Sequence, residues 1–278
     1  MAGTDDEAVA ADDALYVLTA VLLTPAQFPS VLGDDYPEAC TALDLAPRAD
    51  GYGLVLGQDG DGARWTVVID DVSLVAVAIA SWDCGMEYEL SPDERAVVTA
   101  LPGWPLAVAV AAPGVPAPHD PSAEVAGRSA LSPPDTGSWG PAQRRLGADE
   151  IALQWAAWRE QISDADFSAP GGQAKAAESA PESETGASGG HAGIRRVLAE
   201  ARAYVGSPPP LGRVRSSFAP GEARTLRADG PGWSIVARTD DIAFVLLDEE
   251  PGEVLPVGRG PELPGLLEAL DKMAVRPL

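Results

Sequence analysis

Histidine, lysine and cysteine are nearly missing from this chain. Its 278 residues include two histidines, two cysteines and, beside 17 arginines, the lysines Lys175 and Lys272 alone. Histidine is the commonest general acid and base. Here His119 lies between Pro118 and Asp120 in a proline-rich stretch and His191 follows Gly189 and Gly190, so neither belongs to the rigid element that a preorganised site requires. Cys40 and Cys84 are too few for a disulfide framework in a chain of this length. Cys40 reads as a core residue.

The usual chemical signatures are absent as well. No H-E-x-x-H or paired C-x-x-C occurs, which removes the common zinc-peptidase and zinc-ribbon readings. Gly51, Gly53 and Gly57 are followed by a strand pattern, so no helix N-terminus stands ready for a phosphate. Asp59 and Asp61 lie between glycines, but the further acids of an EF-hand loop are lacking. These residues predict a hairpin turn, and neither a cofactor nor a metal is expected.

Long apolar runs are missing too. Ala14 to Leu23 is too short to span a bilayer, and the acidic start MAGTDDEAVAADD lacks the basic region of a signal peptide. The expectation is a soluble cytoplasmic protein without a membrane partner.

Positive charge is the largest deficit. Against 19 basic residues stand 42 acidic ones, a formal charge of −23 and a pI near 4.2. Nucleic-acid phosphates and anionic lipid surfaces would be repelled at long range, so the expected partner is a basic protein.

What remains is a strand-and-helix pattern of α+β class, mainly an antiparallel sheet flanked by helices, with a second small α+β domain. Residues 1–13 form a polar tail. Ala14 to Leu23 reads as a buried strand, because Thr24, Pro25 and Gln27 are placed to start a short helix that runs to about Leu32. A second helix is expected over 37–45. From Arg48 to Leu90 four strands follow: Leu54 to Leu56, Trp65 to Ile69, the continuous run SLVAVAIA as a central strand, and MEYEL with one wet face. Ser91, Pro92 and Glu94 predict a helix to about Leu101, and PLAVAVAA another strand. Residues 113–147, rich in proline, glycine and serine, read as an extended loop. Ile151, Trp155, Trp158 and Ile162 recur at helical spacing as core residues.

The polar acidic stretch 164–190 cannot bury enough apolar surface to offset its ordering entropy and reads as a flexible linker. It divides an N-terminal domain, 14–163, from a C-terminal one, 191–278. The latter is expected to hold a helix striped by Ile194, Val197, Leu198, Ala201 and Val205. A hairpin over 233–247, a short strand over 253–257 and a closing helix around Leu263 to Met273 should follow. RADGYG at 48–53 and RADGPG at 227–232 share five of six residues, which fits either a duplicated unit or a shared turn chemistry.

One local group stands out as a candidate partner surface. Trp82, Asp83, Glu87, Tyr88, Glu89, Asp93 and Glu94 would gather acid beside aromatic residues at one end of the sheet, as a basic protein partner requires. The alternatives are carboxylate-based catalysis or metal-dependent regulation centred on 83–94, and a two-domain scaffold. The first reading is of a non-enzymatic module that masks or escorts a basic protein, like an immunity protein or a secretion chaperone. A thiol test follows from the two cysteines, Cys40 buried in its helix and Cys84 at a strand turn: in the native protein a maleimide should modify Cys84 before Cys40, and equal rates would mean that the helix carrying Cys40 has been misplaced.

Overall fold

The computed structural model describes residues 16–30, 32–58, 64–83, 97–102, 124, 139–162 and 191–276. The chain divides into two compact units, Met1–Asp135 and Thr136–Leu278, and both combine helices with an antiparallel sheet.

In the first unit, strands β1 (Tyr16–Leu23), β2 (Tyr52–Gln58), β3 (Arg64–Ile69) and β4 (Val97–Pro102) pair antiparallel in chain order. The side-chain period of two separates the faces. Leu23, Tyr52, Leu54, Leu56 and Val68 point to helix α1 (Tyr36–Ala42) and its Tyr36, Ala39 and Cys40. Ala20, Val55, Val67 and Ile69 point the other way, to Val75 of helix α2 (Val72–Asp83).

Several expectations hold here. The expected first strand forms over Tyr16–Leu23, the β2–β3 strands pair in register from Gly53↔Ile69 to Gln58↔Arg64, and Cys40 is fully buried in α1. Burial raises its thiol pKa, partly countered by the Tyr36 hydroxyl, so a reactive thiolate is disfavoured there. Asp35 caps α1, its carboxylate accepting from Glu38 N at 2.9 Å.

Three expectations fail. SLVAVAIA is not a central strand but most of α2. Asp71 sits at the cap position, accepting from Ser73 N at 2.9 Å and Ser73 Oγ at 2.6 Å. Val75 then packs so closely on Gly53 of β2 that a Cβ added there would lie 2.0 Å from Val75 Cγ2. The β-branched residues favour a strand only weakly, and the cap with this glycine seat decides for a helix. Val97 to Leu101 is the reverse case, a strand where a helix was expected, paired to β3 and ending at Pro102, which an edge strand tolerates. Thr24 does accept a hydrogen bond from Gln27 N at 3.1 Å, yet that bond closes an isolated turn and no helix follows.

The second unit is a five-stranded antiparallel meander of β5 (Val214–Phe218), β6 (Arg224–Gly230), β7 (Trp233–Arg238), β8 (Ala243–Leu247) and β9 (Leu255–Val257). Helices α5 (Ala192–Gly206) and α6 (Leu263–Met273) cover one face, where Val197, Ala201, Trp233, Val245, Leu266 and Leu270 form the core. Val275 pairs with the outer edge of β5, with Ser216 N donating to Val275 O at 2.9 Å, which covers part of an otherwise open strand.

Helices α3 (Pro141–Leu153) and α4 (Trp155–Glu160) cover the opposite face, where Ala148, Ile151 and Trp155 meet Val236, Phe244 and Leu246. This corrects two boundaries. Residues 141–147 are helical, with Pro141 in the first turn behind Gly140, and 139–162 belong with the C-terminal sheet instead of the N-terminal one. Trp155 is a core residue as expected and Trp158 packs partly buried beside it, both set edge-on to Phe244, at 5.2 and 6.5 Å between ring centroids. The linker 164–190, the strand PLAVAVAA and the tail 1–13 lie outside the described residues.

This packing determines what a cut between Ser163 and His191 should produce. Fragments 1–163 and 191–278 are expected to co-elute in native buffer, held by α3 and α4 on the sheet, and to separate in denaturant; separation without denaturant would refute the packing.

A buried arginine–aspartate network as the candidate functional site

Of the residues expected to form an acidic partner surface, Trp82 and Asp83 make the last turn of α2. Glu87, Tyr88, Glu89, Asp93 and Glu94 lie outside the described residues. The densest charge arrangement among the described residues is elsewhere, on the α3 side of the C-terminal sheet.

Strand pairing creates the problem that this arrangement solves. In the β5–β6 register Arg215 stands directly opposite Arg227, and both are buried. Like charges placed so repel. Asp229, two residues along β6 on the same face, lies diagonal to Arg215 and opposite Ser234 of β7. Its carboxylate accepts from Arg215 Nη2 at 2.9 Å and from Ser234 Oγ at 2.6 Å, with Arg227 Nη2 at 3.4 Å.

Helix α3 completes the network. Arg144, fully buried, donates to Ser234 Oγ and through Nε to Asp248 Oδ1 at 2.6 Å, while Asp149 pairs with Arg227. Arg145 is buried beside them. Four guanidinium groups thus share Asp149, Asp229 and Asp248.

The electrostatics follow from this crowding. Burial alone would raise the Asp229 pKa, but Arg227, Arg215 and the Ser234 hydroxyl outweigh it, and the carboxyl is held well below the usual range. Burial lowers Arg145 to about 10, with Arg227 and Arg215 adding to the fall against Asp229 and Asp248.

A further chain of contacts crosses to the other face. Tyr204 of α5 donates to Asp229 O at 3.0 Å and its ring lies 5.8 Å from that of Trp233, whose Nε1 donates to Glu200 Oε2 at 2.5 Å. Gly230 makes room for the indole, because a Cβ there would lie 2.3 Å from Trp233 Cε2.

Chemically the network positions and does not react. Arginine offers donors and no general base at neutral pH, Ser234 is tied to Asp229 and Arg144, and each of the three aspartates already serves a guanidinium. Among the described residues no group of three or more histidines, cysteines or acids is placed to hold a metal. His191 faces Glu250 at 3.0 Å, where burial raises the glutamate pKa; His119 lies outside the described residues. Comparison with protein-family models, curated proteins and solved structures finds no match.

Sequence reasoning missed this network because Arg215, Arg227 and Asp229 alternate along their strands as a solvated face would. The readable signal was the opposite signs at alternate positions of RADG, together with the arginines and tryptophans of 139–159.

Asp229→Asn should leave Arg215 and Arg227 buried against a neutral amide and cost about 3–5 kcal/mol, the usual cost of removing one partner of a buried pair. Because the folded pKa lies below the unfolded value near about 3.9, the carboxylate's contribution is complete above that value and is lost as pH falls through the folded one. Thermal unfolding of the wild type should therefore weaken below about pH 4, and the variant should show a shallower acid dependence. Equal stability at pH 7 would rule out the network.

Proposed function

We propose that the protein is a non-enzymatic acidic module that masks or escorts a basic protein partner, in the manner of an immunity protein or a secretion chaperone, in the cytoplasm. The carrying observation is how the charge is distributed. At least eleven of the 19 basic residues form internal ion pairs, and Arg144, Arg215 and Arg227 are buried. Acids such as Asp50, Asp71, Glu222 and Glu253 are exposed. The excess negative charge therefore acts outward, attracting basic surfaces and repelling phosphate backbones.

No helix among the described residues is long and apolar enough to cross a membrane. The scaffold reading draws on a different observation, the two compact units with cores of their own, which would let one chain engage two partners. The charge distribution is independent of that choice.

Immobilised protein in native lysate should retain a basic protein at low salt and release it at high salt. The sequence places the contact around Trp82, Asp83, Glu87, Tyr88, Glu89, Asp93 and Glu94. Glu87→Lys with Glu89→Lys should then slow association by roughly tenfold while leaving the fold intact. Retention that is insensitive to salt, or an unchanged association rate, would count against the proposal.

A further inference from the structure

The two faces of the C-terminal sheet are closed by different chemistry. Under α5 and α6 the core is apolar and drawn wholly from residues 191–276. The other face is covered by 139–162. There Phe244 and its apolar neighbours receive Trp155 and Trp158, while Trp139 Nε1 donates to Leu247 O at 2.9 Å. Around that centre run charge pairs that cross from cover to sheet: Arg144 with Asp248, Arg159 with Asp241 at 3.1 Å, and Asp149 with Arg227.

An aromatic centre ringed by arginine–carboxylate contacts is the composition of a protein–protein interface more than of a domain core. The cover contains three of the chain's seven tryptophans. Its sequence neighbours, 113–138 and 164–190, are rich in proline, glycine, serine and alanine, so no short covalent connection forces it onto this face. The charges are complementary as well. The cover is neutral over its length, with three arginines and three acids, but two of its three crossing pairs set an arginine of the cover, Arg144 or Arg159, on an aspartate of the sheet, and only Asp149 meets an arginine there.

We propose that this face is a docking surface for a helical segment of a basic protein partner that presents arginines and tryptophans, and that residues 139–162 are an internal stand-in which the partner segment displaces. The inference rests on the reading of the chain as a binder of a basic protein, and it supplies that reading with a surface. A segment tethered in the same chain acts at an effective concentration of about a millimolar. A free segment of equal intrinsic affinity is therefore excluded, and only a better match to the aromatic centre and the aspartates enters. The tether thus acts as a specificity threshold.

The test uses the full chain and a fluorescent synthetic peptide of residues 136–163 as the probe. Ile151→Asp with Trp155→Ser loosens the resident cover, and the peptide should bind that variant on the order of a hundredfold more tightly than the wild type. Adding Asp241→Arg to the loosened chain should weaken binding about tenfold, and a peptide carrying Arg159→Asp should restore it, as a charge pair across an interface requires. Such a rescue does not arise from unfolding. Equal binding to both chains, a swap that fails to restore affinity, or loss of the α5–α6 core in the loosened variant would overturn the proposal. So would a dimer formed by exchange of 139–162, which would assign the face to a second copy. Peptide binding that persists while salt-released capture of a basic protein fails would strike the partner reading instead, so the two failures are distinguishable.

Discussion

Asp229 is the charge on which the C-terminal unit depends. Antiparallel pairing sets Arg215 against Arg227 on a buried face, an arrangement that repels unless a carboxylate lies within reach of both. Asp229 supplies it, and through Ser234 and Arg144 the same carboxylate fixes helix α3. Through its backbone carbonyl it also holds Tyr204 beside Trp233 on the far face. Buried ion pairs of this kind add little net stability over apolar packing, because desolvation offsets much of the attraction. What they confer is position: α3 can dock in few registers when Arg144 and Asp149 must each find a partner.

The expected elements that survive are those whose pattern and surroundings agree. The β2–β3 hairpin follows from alternating apolar residues around a glycine-rich turn, and α6 from the stripe of Leu263, Leu266, Leu267 and Leu270. The failures occur where tertiary contacts decide. Val72 to Asp83 carries strand-like composition, and only the space left by Gly53 and the cap at Asp71 make it helical. Strands β5 and β6 went unread because a charged face on a strand looks wet, and here it is buried. The assignment of 139–162 to the wrong sheet has the same origin: proximity in sequence favoured the N-terminal unit, whereas the partners of Arg144 and Arg159 lie 104 and 82 residues further on.

The repeated hexapeptide illustrates the limit of local likeness. Arg48 and Asp50 are exposed in the loop before β2, whereas Arg227 and Asp229 are buried within β6. The left-handed glycine shifts from Gly51 in the first copy to Gly232 in the second, which are not equivalent positions. After the shared RADG, Tyr52 opens a strand and Pro231 a turn. The two copies share neither their backbone conformation nor the position of the turn, so the structure supports neither a shared turn chemistry nor a duplicated unit.

The charge distribution links fold to proposed role. A chain with 42 acids and 19 bases could spread its cations over the surface and lower its own repulsion. Instead the C-terminal unit places several of its arginines inward, where the sheet and α3 need oriented donors. Self-repulsion among the acids left outside opposes compactness, and it is tolerated because the apolar core under α5 and α6 does not depend on those acids. A basic partner would relieve the same repulsion on binding. Part of its affinity would then come from strain already present in the free protein, and that part would weaken with salt even if the contacts at the interface stayed the same.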